Sequence, residues 1–84
     1  LNPQQQQQPF FSADAAGMNC SLPTAGRWQL RAYSLNGKLL GEQSMDLLTG
    51  STRVMWERLG AGFKQAALVR VNNHTGTFNA TLRK

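Results

Sequence analysis

The single histidine, His74, stands in a polar loop with Asn72, Asn73 and Gly76. The single cysteine, Cys20, lies in an alternating segment. One of each excludes an intramolecular disulfide and a Cys/His metal cluster. Cys20 reads as a small buried hydrophobe, and His74 as a solvated loop residue. The four acids, Asp14, Glu42, Asp46 and Glu57, fall in different segments. Paired-carboxylate chemistry needs two of them close together and desolvated, and no spacing here requires that. No Ser/His/Asp or Cys/His arrangement assembles, and no glycine-rich phosphate loop precedes a helix. The residues therefore point away from an enzyme, a metal site and a cofactor, and their chemistry alone assigns no function.

Nine Lys and Arg against four Asp and Glu give a formal charge of +5. The cations are Arg27, Arg31, Lys38, Arg53, Arg58, Lys64, Arg70, Arg83 and Lys84, dispersed along the chain. Such a balance favours anionic partners or simply a solvated surface. No motif of a nucleic-acid reader accompanies it, so nucleic acid is not expected. Tyr33 shares its parity with Arg27, Gln29 and Arg31. Exposed, that face offers a ring between cations to a glycan or polyanion; the competing reading is a cross-strand pair over a sheet edge. Trp28 and Trp56 fit a core. In a carbohydrate-binding module they would instead join Tyr33 as a ligand platform. Three sequons, at Asn19, Asn73 and Asn79, are glycosylation acceptors if the chain is secreted from a eukaryotic cell.

These residues must be positioned by strands. Trp28, Leu30 and Ala32 alternate with Arg27, Gln29 and Arg31, which is period two. Asn36-Gly37 follows, predicting a type I′ hairpin turn with positive φ at both residues, after which Leu39 and Leu40 resume the apolar run. Upstream, Met18, Cys20 and Leu22 predict a strand ending at Pro23. Downstream, Ser44 to Leu47 predicts an edge strand and Ser51 to Leu59 a strand with Val54 and Trp56 on one face. Leu59 to Gly62 predicts a turn, and Phe63 to Leu68 allows one short helical turn. Ala66 to Asn72 reads as a central strand, Asn72 to Gly76 as a second hairpin loop, and Thr77 to Leu82 as the last strand. Six or seven short strands at this spacing predict an all-β, antiparallel, Ig-like sandwich. The 84 residues suffice for one small domain. Residues 1–11, with glutamine at every position from Gln4 to Gln8, read as a Gln/Pro-rich linker, leaving 12–84 as the domain. No apolar run reaches membrane-spanning length. No signal peptide is apparent, and the chain reads as a piece of a longer protein.

From Met18 onward the sequence resembles the C-terminal sorting domains of bacterial type IX secretion cargo. The motifs are Leu22-Pro23, the run LRAYSLNGKLL, Leu59-Gly60-Ala61-Gly62, Leu68-Val69-Arg70-Val71 and Thr81-Leu82-Arg83-Lys84. Phe63 following Gly62 directly, with Lys64 to Ala67 intervening, departs from that pattern and reads as an insertion. The resemblance implies a non-catalytic sorting or anchoring module on an exported protein, secreted or held at the cell surface. A polysaccharide-degrading enzyme is one such passenger. The implied partner is the secretion machinery or a cell-surface protein, and the implied contacts are Gly37, Lys38, Gly62, Arg70, Arg83 and Lys84, with Arg83 and Lys84 projecting from the last strand. A carbohydrate-binding module, with polysaccharide as partner, and an Ig-like spacer or adhesion domain are the alternatives.

Overall fold

The computed structural model describes residues 8–76 and 78–84. Among these residues seven strands form two antiparallel sheets, packed as the expected all-β sandwich. The first sheet has the order β1 (Phe10–Ala13), β2 (Gly17–Leu22), β5 (Gly50–Met55). The second has the order β4 (Leu39–Leu47), β3 (Gly26–Tyr33), β6 (Leu68–Asn73), β7 (Asn79–Arg83). Two short helices, α1 (Trp56–Leu59) and α2 (Ala61–Gln65), carry the chain from β5 to β6.

Each inner face is the apolar parity of its strands. Met18, Cys20 and Leu22 of β2 face Trp28, Leu30 and Ala32 of β3 across a core shared with Val54, Val69, Val71 and Leu82. Burying one face fixes register, because a one-residue slip would expose the whole set. Burial holds the Cys20 thiol up at about 11, in keeping with its reading as an inert hydrophobe.

Both ends of the sandwich are closed by aromatic rings. At one end Phe11, Trp28 and Phe78 form a triangle with centroid separations of 5.1, 5.6 and 5.9 Å. At the other, Trp56 stacks on Phe63 at 6.4 Å. The Trp56 indole also donates a hydrogen bond to the Asp14 carbonyl at 2.8 Å, so its polar atom is satisfied inside.

Four details differ from the sequence reading. Phe10 and Phe11 belong to β1, and Phe11 is buried, so the fold begins inside the segment assigned to the linker. Of the glutamine run, residues 4–7 lie outside the described residues. Gly37 alone adopts positive φ in the β3–β4 turn, at +90°, while Asn36 does not. Ser34 and Lys38 close the loop instead, with Ser34 N–H donating to the Lys38 carbonyl at 2.8 Å and Gly37 N–H to Ser34 at 3.0 Å. That is the three-residue loop with one left-handed glycine, not type I′. Trp56 is buried as expected but opens α1, because β5 ends at Met55. Finally, β4 is one continuous edge strand from Leu39 to Leu47.

Candidate recognition surface

The outward parity of the four-stranded sheet is polar. Arg27, Gln29, Arg31 and Tyr33 of β3 pair with Asp46, Ser44, Glu42 and Leu39 of β4. On the other side, Gln29, Arg31 and Tyr33 pair with Asn72, Arg70 and Leu68 of β6, and these with Asn79, Thr81 and Arg83 of β7. The result is an outward face with three arginines and one tyrosine at its Tyr33 end.

Charge on this face is uneven. On the β4 side every cation is matched: Arg27 reaches Asp46 at 3.3 Å and Arg31 reaches Glu42 at 3.0 Å. Glu42 also accepts a bond from the Gln29 amide at 2.8 Å. The Glu42 hydrogen bond pushes the Arg31 guanidinium above its ordinary range. A further surface ion pair lies elsewhere, where Arg53 holds Asp14 at 2.9 Å and helps bring its carboxyl down to about 2. Arg70 and Arg83 have no acidic partner among the described residues.

The six residues named by the sorting resemblance collect at one end of the domain, where the β3–β4 turn, α2 and the end of β7 meet. Gly37 and Lys38 sit in the exposed turn that follows Tyr33. Arg83 lies opposite Leu68, which lies opposite Tyr33, and Arg70 is two residues along. Gly62 is packed on β4: a Cβ there would fall 2.9 Å from the Leu40 carbonyl carbon and closer still to its oxygen. Its glycine is a packing requirement of α2.

Lys84 does not project freely. Its ammonium donates to the Phe63 carbonyl and, at 2.9 Å, to the Lys64 carbonyl. It also lies over the Trp56 ring at 5.1 Å. A cation on the last carbonyls of a helix satisfies groups that the helix leaves unpaired. Burial lowers its pKa. Local sequence gave no sign of this contact, because its partners lie twenty positions away and are backbone atoms.

Trp28 and Trp56 lie in the core, as expected, and the alternative carbohydrate platform does not assemble. Trp28 and Trp56 are 5% and 1% exposed, so neither ring can stack on a sugar. Tyr33 alone of the three reaches the surface, half-buried beside Arg31. An open groove of about 370 Å³ runs elsewhere, between the edge strands β4 and β5. It is lined by Met45, Leu47, Leu48, Val54 and Leu59, with Arg58 at its rim. No group of three or more His, Cys, Asp or Glu suited to a metal occurs among the described residues.

Comparison with protein-family models, curated proteins and solved structures finds no match. The case for a function therefore rests on the surface itself. Among the described residues no helix is long and apolar enough to cross a membrane.

Proposed function

We propose that this domain is a non-catalytic sorting or anchoring module of an exported protein, read by a receptor of the secretion machinery or cell surface. The observation that carries this reading is the convergence at one end. Six residues drawn from four separate motifs come together there, four of them as an exposed turn and two arginines with no acidic partner among the described residues. Gly62 and Lys84 support that end from beneath, through α2. Exposed charges of this kind add little to stability and act chiefly on association. The resemblance of the sequence to type IX cargo domains supplies the finer part of the proposal, a type IX sorting function with a polysaccharide-degrading enzyme as one passenger.

The test fuses the domain behind a reporter in a type IX-competent host. Lys38→Glu, Arg70→Glu and Arg83→Glu are combined, and thermal melting is checked against the parent. The expected outcome is a melting temperature close to the parent's with the reporter retained inside the cell. Normal export of the folded variant would refute the reading and leave a spacer role.

A further inference from the structure

The unmatched half of the face carries information about what it meets. Arg31 and Arg70 are directly opposite on β3 and β6. Like charges so placed repel, and Glu42 compensates only the Arg31 side. Arg70 lies opposite Thr81, two residues before Arg83 on β7. The two arginines are thus diagonal neighbours, about 7–8 Å apart at the backbone. Leu68 sits half-buried between Tyr33 and Arg83. A strand presents residues i and i+2 on one face, about 6.6–6.8 Å apart. That spacing matches the arginine diagonal.

We propose that the β6–β7 half of this face docks an extended protein segment bearing two carboxylates at i and i+2, one over Arg70 and one over Arg83, with its intervening backbone above Leu68. This proposal rests on the recognition end assigned above and names its partner's chemistry. The other half of the face offers a longer anion nothing further. Glu42 and Asp46 already hold Arg31 and Arg27 in ion pairs, so a polyanion crossing the sheet gains no additional cation there. A local acidic pair matches the cationic half alone.

The test titrates the isotopically labelled 84-residue chain with three blocked peptides. One has Glu-Thr-Glu at its centre, one Gln-Thr-Gln, and one Glu-Glu-Thr, which puts its acids on opposite faces of a strand. A heparin-derived oligosaccharide is the long polyanion. The expected result is that Glu-Thr-Glu binds most tightly and shifts the amides of Leu68, Arg70, Thr81 and Arg83, more weakly as salt is raised. Arg70→Glu with Arg83→Glu should weaken it by about tenfold or more, while Arg58→Glu changes it less than about twofold. Equal binding of Glu-Thr-Glu and Glu-Glu-Thr, tighter binding of the oligosaccharide, or indifference to the double variant would overturn the proposal. These outcomes separate from the sorting reading. Peptide binding with normal export of the double variant's reporter removes the sorting role alone. Lost export with no peptide preference removes the acidic segment alone.

Discussion

Gly62→Ala sets two effects of opposite sign against each other. Gly62 lies inside α2, where alanine is favoured over glycine by about 1 kcal/mol. Against that, the new methyl would meet the Leu40 carbonyl, with its carbon at 2.9 Å and the Gly41 Cα at 3.4 Å. The obstacle is backbone of a paired strand, so it cannot swing aside as a side chain would. Relief requires lifting α2 from β4 by about 1 Å, which forfeits a quarter to a half of the dispersion contact along that seam. The element being lifted carries Phe63, which is 2% exposed and stacked on Trp56. Overpacking of this kind costs about 1–3 kcal/mol, and loosening Phe63 puts this site at the upper end. Net of propensity, the variant should lose about 2 kcal/mol, or a melting-temperature drop of about 8–16 °C in a domain this small. The assay is thermal melting by circular dichroism, with Gly26→Ala as comparison. A Cβ at Gly26 meets nothing nearer than the Trp28 Nε1 at 3.9 Å, so that variant should melt close to the parent. A Gly62→Ala protein that melted at or above the parent temperature would refute the packing argument and return Gly62 to the list of recognition residues.

Lys84→Met removes both the donors to the α2 carbonyls and the ammonium over Trp56, and should cost about 1–2 kcal/mol by denaturant titration; an unchanged midpoint would show that the contact contributes nothing. Asp14 has a folded pKa near 2 against 3.8, owing first to the Arg53 hydrogen bond and then to the Ala16 and Gly17 amides. Its stabilising contribution is complete above pH 4 and is lost as pH falls towards 2, so Asp14→Asn should flatten the acid limb of melting temperature against pH over that interval. Cys20 is buried with its thiol raised to about 11. It should therefore resist a thiol reagent at pH 8 in the native state and react at once in denaturant; rapid native labelling would contradict its place in the core.

Where a strand buries one face and exposes the other, the chain could be read directly. Met18, Cys20 and Leu22, and Trp28, Leu30 and Ala32, announce their inner parity, and the registers follow it. The end of β5 was hidden because Val54 and Trp56 satisfy period two, although the backbone turns helical between them. Burial of Trp56 was legible and its secondary structure was not. The first strand was masked by composition, since two phenylalanines after a glutamine run say little until Trp28 and Phe78 are seen to cover one of them. Asn36-Gly37 marked the hairpin correctly, but loop length decided the turn type, and that depends on where pairing resumes. Arg70, Arg83 and Tyr33 were each visible as candidates. Their common face was not, because it depends on β6 lying between β3 and β7. Lys84 was misread as a free cation, since its partners are carbonyls that exist as a site only once α2 has formed.

The aromatic triangle imposes an order of events on the chain. Trp28 is covered by Phe11 from the first strand and by Phe78 just ahead of the last. No subset of earlier strands can complete that cluster. A chain emerging N-terminus first, from a ribosome or through a pore, leaves Trp28 without its Phe78 cover until position 78 has appeared. Contacts this distant in sequence close slowly, on the milliseconds-to-seconds scale usual for sandwiches. The last strand thus closes both ends at once, with Phe78 completing the triangle and Lys84 reaching the α2 carbonyls.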